Sequence, residues 1–283
     1  MKFTGDNVFR DCTNLKTLKM SSKLSASFEH GFDVFANCTS LVNVDLTGTT
    51  FSGNKMNTRM FENCTALESI VIPEGVVNTG YYTFSGCKSL KSISFPNSLT
   101  TIDGYSFKNC DSLTTLYIPE ITGSIGNGAF RDCDSLTDVY FLNGTKELSY
   151  DMFYNCPELK NVFIPASVEK VASTTFNISK NRKPELYVDQ KCIKLDSLKK
   201  SYLCHVLGDA NNDGIVGMND ALLIDQYCKN RAAYGVNGTD KMHITEQGLK
   251  NADVFNPGSG VTRDDMTAIQ EYLLEIIPSF PKF

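Results

Sequence analysis

A chain of 283 residues is long for one compact core, and its 41% hydrophobic and 21% charged side chains are ordinary for a globular protein. The formal charge of -5, with no Lys/Arg-rich patch against it, argues against a nucleic-acid binder. No apolar run reaches the roughly 18 residues of a membrane-spanning helix. The opening Met1-Lys2-Phe3-Thr4-Gly5 has no apolar signal core and already lies inside a repeat. The expectation is a chain trimmed at its N-terminus, so the missing signal says nothing about location.

The repeat is Phe-x-x-Cys, at Phe9/Cys12, Phe35/Cys38, Phe61/Cys64, Phe84/Cys87, Phe107/Cys110, Phe130/Cys133 and Phe153/Cys156. The cysteines are 26, 26, 23, 23, 23 and 23 residues apart, and an eighth copy, Phe176/Ser179, keeps the 23 spacing. A leucine follows each cysteine by three residues: Leu15, Leu41, Leu67, Leu90, Leu113, Leu136 and Leu159. Short β-prone runs come next, such as Ser69–Pro73 and Thr115–Pro119. One repeat alone cannot bury its apolar side, so the copies must stack as a solenoid with one strand each. Alternation turns Ile70 and Ile72, or Leu116 and Ile118, inward, and the following proline ends the ladder because it has no N–H to donate. Each buried Leu, Ile or Phe contributes about 1.5–3 kcal/mol.

The register-matched cysteines have two readings, a metal or redox column and a column of small apolar side chains. The second is favoured, because buried Cys packs as a small hydrophobe and Ser at 179 fits the same slot. Cys192, Cys204 and Cys228 lie outside the column, and a Cys192–Cys204 bridge is left open. The outward strand position reads Lys19, Asp45, Val71, Ser94, Tyr117, Tyr140, Phe163 and Tyr187. Its last four members predict an exposed aromatic stripe with neighbours about 4.8 Å apart. Val71, Tyr117, Tyr140, Phe163 and Tyr187 are therefore a candidate ligand face. The competing reading is plain β-propensity with cross-strand stacking.

From about Gly5 to Asp189 this pattern resembles the bacterial leucine-rich repeats called BspA-like. The resemblance implies a secreted or cell-surface module that binds other molecules. The first two spacings depart from 23, which implies longer turns in the first coils.

After Lys200 the composition changes; 190–204 reads as a polar linker or short capping helix. The stretch Gly208–Asp220 then places oxygen donors at positions 1, 3, 5 and 12 of a loop: Asp209, Asn211, Asp213 and Asp220. Gly214 permits the sharp turn and Ile215 offers its carbonyl, the oxygen cage of a hard cation. An apolar helical pattern with Leu223, Ile224 and Tyr227 follows. A second copy runs from Asp253 to Leu273, with Ile269 and Tyr272 matching Ile224 and Tyr227. Its loop is one residue longer, and its expected ligands are Asp253, Asn256, Ser259, the Val261 carbonyl and Asp265.

Two calcium-loop–helix halves at a chain terminus resemble the dockerin family, on the signatures Gly-Asp-x-Asn-x-Asp-Gly and Asp-x-x-x-Leu-Ile-x-x-Tyr. The longer second loop is similar to dockerins of gut or rumen cellulose degraders. A generic EF-hand is disfavoured because no clear helix precedes Ala210–Asp213. The resemblance implies two calcium ions and a cohesin module of a scaffoldin as partner. It also implies secretion to the cell-surface cellulosome of an anaerobic bacterium. The implied cohesin-binding residues are Met218, Asn219, Leu222, Leu223 and Gln226 in the first half. In the second half they are Arg263, Asp264, Thr267 and Gln270. The unlike pairs Met218-Asn219 and Arg263-Asp264 imply a single binding orientation.

The expected fold class is mixed. A leucine-rich-repeat β-solenoid of eight repeats occupies 1–189, and a small all-α calcium-binding dockerin occupies 205–283. No catalytic set is legible: His30, His205 and His243 are far apart, and no nucleophile, phosphate-loop or glycosidase carboxylate pattern emerges. The expected function is a non-catalytic cellulosomal protein whose repeats recognise a protein or cell surface. A carbohydrate-binding module using the aromatic stripe is the alternative, and a catalytic repeat domain the third reading.

Overall fold

The computed structural model describes residues 3–20, 28–29, 31–142, 144–179, 182–192, 195–210, 216–230, 236, 244–254 and 260–273. They group into two units, Met1–Asn161 with Lys170–Pro184, and Val162–Glu169 with Glu185–Phe283.

The first unit is the solenoid. Its short strands pair in parallel one repeat apart: Thr17–Lys19 with Asn43–Asp45, Ser69–Val71 with Ser92–Ser94, and Thr115–Ile118 with Asp138–Phe141. Ile70, Ile72, Leu116 and Ile118 are buried, as the alternation predicts, while Val71 and Tyr117 are exposed. The repeat phenylalanines form one continuous stack from Phe9 to Phe176, with successive centroids 5.2–6.0 Å apart. Face-to-face order of this kind follows from identical side chains at identical register. The leucines after Cys38 through Cys156 are all buried beside the stack.

The cysteine column is packing with a hydrogen-bonding role. Each buried thiol from Cys38 to Cys156 donates to the carbonyl of the repeat phenylalanine one coil back, at 3.2–3.5 Å. Ser179 does not extend the column, for it is exposed. The eighth copy nevertheless keeps Phe176 and Ile178 buried, and its strand Glu185–Val188 buries Leu186 and Val188. A second, sparser ladder runs along another side of the coils, through Lys55↔Asn78, Asn78↔Thr101, Ile102↔Ile125 and the pair Glu147–Leu148 with Lys170–Val171. The one-strand-per-repeat expectation missed it, because its members are one or two residues long.

In the second unit Glu185–Val188 pairs in parallel with Cys204–Val206, matching Tyr187 to His205. Of the two readings of 190–204, linker or short capping helix, the segment carries a short helix, α1 (Leu195–Lys199), and then returns the chain to a sheet. Helices α2 (Met218–Lys229), α3 (Glu246–Ala252) and α4 (Arg263–Leu273) follow, and α2 packs on α4. The sequence reading did not anticipate α3. Its start is capped by the Thr245 hydroxyl, which accepts the Gly248 N–H at 2.9 Å. Cys192 and Cys204 are free thiols, so no bridge joins them.

Candidate functional site

The two halves of the second unit repeat each other at the level of side chains. Asp220 stands three residues into α2 behind Gly217, and its Oδ2 accepts the Gly217 N–H at 2.7 Å. Asp265 stands equally behind Thr262, and its Oδ2 accepts the Thr262 N–H at 2.7 Å. Its Oδ1 accepts the Val254 N–H at 2.8 Å, tying the end of the second loop to its beginning. Each aspartate sits where the helix N-terminus favours negative charge. Behind them the inner faces match too: Val216, Leu223 and Ile224 in one half, and Val261, Ala268 and Ile269 in the other, are buried.

Asp209, Asp220 and Asp265 are at most 2% exposed. Buried carboxylates are costly unless compensated. An oxygen-only donor set of this kind fits a hard cation such as calcium and not a soft one. In the second half Asp253 caps the end of α3, and its Oδ2 accepts the Gly260 N–H at 3.2 Å across the loop. The expected ligands Asn211, Asp213, Ile215, Asn256 and Ser259 lie outside the described residues. Among the described residues, no three or more His, Cys, Asp or Glu converge as a metal cluster.

Residues without any ligand signature hold the first loop. The buried Asn251 on α3 donates from Nδ2 to the Asp209 carbonyl at 3.0 Å, and its own carbonyl accepts the Gly208 N–H at 2.7 Å. A Cβ at Gly248 would run into the Ala210 carbonyl, so glycine lets α3 lie against the loop entrance. Gln190 closes the other end, its Oε1 accepting the Val216 N–H at 2.7 Å. The only sequence signal for this clamp is the Thr-Glu-Gln-Gly start of α3. The first loop is preceded by a strand and the second by a helix, so the expected absence of a leading helix holds for the first alone.

Of the expected partner-facing residues, Leu222 is 50% exposed, and Arg263, Asp264 and Thr267 are exposed. Gln226 is half-buried. Met218, Asn219 and Gln270 lie on α2 and α4. Leu223 is a correction. It is 1% exposed, because it shares the inner face with Asp220 and Ile224 while Leu222 and Gln226 take the outer one.

The aromatic stripe is also corrected. Tyr117 is 53% exposed, but Tyr140 and Phe163 are 8% and Tyr187 is 3% exposed. Tyr140 lies against Tyr117 at 4.9 Å, while Tyr187 is sandwiched between Phe163 at 4.7 Å and His205 at 5.0 Å. Mutual stacking, closed by His205, turns three of the four rings from a surface into packing.

Comparison with known proteins finds a repeat family and shorter matches. The BspA type leucine rich repeat region, in six copies, matches residues 1–66 and 54–183. A xylanase/beta-glucanase of Ruminococcus flavefaciens is 47% identical over 75 residues, 26% of this chain and 9% of that protein. The chain thus spans a small part of that relative's length. A chain of the solved complex of the third ScaB cohesin of R. flavefaciens with a group 1 dockerin is 49% identical. That match covers 26% of this chain and 94% of that one, with a TM-score of 0.26. A leucine-rich repeat protein from Bacteroides ovatus is 25% identical, covering 68% of this chain and 50% of that one, with a TM-score of 0.49. The stacked Phe and Cys columns are thus the physical form of the matched repeat, and the chain belongs to the BspA type leucine-rich-repeat family.

Proposed function

We propose that this chain is a non-catalytic component of a cellulosome, docked through 205–283 to a cohesin in a calcium-dependent way, with its repeats serving as a recognition module for a protein or cell surface. The carrying observation is the twofold arrangement of Asp220 behind Gly217 and Asp265 behind Thr262, each heading a helix with a matching buried face. The 47% identity over 75 residues with a xylanase/beta-glucanase of R. flavefaciens supports the same reading. So does the resemblance of this segment to a chain of a cohesin–dockerin complex. An extracellular place follows from this proposal, and no helix among the described residues is long and apolar enough to cross a membrane.

When bound, calcium supplies a compact positive charge that the carboxylates lack. Asp209, Asn211, Asp213, the Ile215 carbonyl and Asp220 would hold one ion, and Asp253, Asn256, Ser259, the Val261 carbonyl and Asp265 the other. Asn251 and Gln190 fix the two ends of the first loop, so its order is passed to α2 and α3. The outer faces of α2 and α4 then present Leu222 and Gln226, and Arg263, Asp264 and Thr267, to the partner. Met218-Asn219 and Arg263-Asp264 differ in chemistry, so one orientation of binding is expected.

The test is calorimetry of the full chain against a panel of scaffoldin cohesins, with calcium and with chelator. Tight binding that vanishes with chelator, and in the Asp209→Ala/Asp253→Ala variant, is the expected result. Calcium uptake without affinity for any cohesin would leave only a calcium-stabilised end to a repeat protein and sink the proposal.

A further inference from the structure

The stripe chosen from the sequence is mostly buried, yet the solenoid has a concave site elsewhere. A groove of about 510 Å³ opens along the second ladder and crosses four consecutive coils. It runs from Tyr81, past Asp103 and Tyr105, over Ser124, to Lys146 and Glu147. Three ladder steps of about 4.8 Å give it a length of roughly 14 Å.

Glycines make it hollow. A Cβ at Gly126 would strike the backbone of Gly104, and one at Gly123 would lie 2.7 Å from the Thr100 carbonyl. A Cβ at Gly104 would lie 3.1 Å from the Asn127 carbonyl, with the Tyr81 ring in ordinary contact beyond it. The coils approach so closely here that no side chain can fill the floor.

The walls are chemically mixed. Tyr81 is 49% exposed, and its ring is held by the Lys55 ammonium 5.2 Å from the centroid. Asp103 is only 8% exposed, with Oδ2 at 2.7 Å from Lys55 Nζ and Oδ1 accepting from Asn78 Nδ2 at 3.4 Å. A buried, oriented carboxylate facing a groove suits vicinal hydroxyl donors. An exposed tyrosine ring suits the C–H face of a sugar. The carboxylates are each paired, Asp103 with Lys55 and Glu147 with Lys170 at 3.7 Å, and Lys146 leaves the lining within one charge of balance. A balanced site favours a neutral ligand over a phosphate, a uronate or an acidic peptide. The floor also gives an extended peptide no ladder to join, because the Gly123 and Gly126 N–H groups already donate to Thr100 and Ile102.

We propose that the groove between Tyr81 and Glu147 binds a neutral oligosaccharide, stacked on Tyr81 and hydrogen-bonded to Asp103. This deepens the reading of the repeats as a recognition module and is independent of the cohesin proposal.

The experiment is calorimetry of the full chain with neutral β-linked gluco- and xylo-hexasaccharides, an acidic oligouronide, and a peptide library as comparison. Tyr81→Ala should weaken binding of a neutral hexasaccharide by about tenfold or more. Ser124→Arg, which fills the groove without removing a contact, should abolish it. Tyr117→Ala, on the strand face, should leave it unchanged, and all three variants should melt with the parent. Four outcomes would overturn the proposal: no neutral oligosaccharide bound at millimolar concentration, tighter binding of the oligouronide, insensitivity to both groove variants, or loss with Tyr117→Ala alone. Peptide capture that Ser124→Arg blocks would also overturn it while leaving the recognition reading intact.

Discussion

The buried thiols of the repeat column hold their protons. Burial pushes Cys64 up to about 12, and it also raises Cys87 and Cys110 well above the ordinary thiol value. Cys133 is raised by its hydrogen bond with Cys156 and by burial. Burial that disfavours the thiolate agrees with reading the column as packing. The residue before each cysteine is equally constrained. Asp11, Asn37, Asn63, Asn109, Asp132 and Asn155 have φ of 55–60° and Gly86 has 76°, so this turn takes Asn, Asp or Gly. His205 is the residue to watch for pH. Burial lowers it below 6.5, and Glu185, 3.2 Å away, opposes without winning. The unfolded chain therefore binds this proton first. Stability from this group is full above pH 6.5 and declines as pH falls toward the lowered folded value. His205→Gln should flatten that part of the melting-temperature profile, and a parallel profile in parent and variant would refute it.

At the scale of elements, the phenylalanine stack carries the solenoid. Phe107 is fully buried between Phe84 at 5.2 Å and Phe130 at 5.4 Å, with Phe95 edge-on at 5.7 Å. Its neighbours are fixed by their own coils and cannot collapse into a cavity. Phe107→Ala should cost about 3–5 kcal/mol in urea unfolding. A loss below about 1 kcal/mol would mean the coils relax and the stack is not rigid. Helix α3 shows the opposite dependence. Seven residues are too few to stand alone, so α3 exists because Gly248 and Asn251 fit the entrance of the first loop.

At the scale of the whole molecule, the two units draw on different sources of stability. The solenoid is held chiefly by repeated apolar columns, while the second unit buries Asp189, Asp209, Asp220 and Asp265 among its apolar faces. Calcium at about 100 times its dissociation constant should add about 2.7 kcal/mol to the unit that binds it. In calorimetric melting, chelator should lower one transition and leave the solenoid's in place. Two transitions equally unmoved by chelator would rule out calcium as a source of stability.

Much of this was legible in the sequence because repetition and alternation are local. Identical residues every 23 or 26 positions must stack, and period two must turn Ile70 and Ile72 one way and Val71 the other. The placement of Asp220 and Asp265 at matching helix starts follows from the same local repetition, since each bonds a backbone N–H three residues before it. Only the tertiary structure decided what depends on distant neighbours. The outward aromatic column lost its exposure because rings one repeat apart cover each other, which no single strand pattern encodes. The groove arose because glycines in separate coils meet backbone to backbone, and Asn251 found Asp209 across 42 residues of chain.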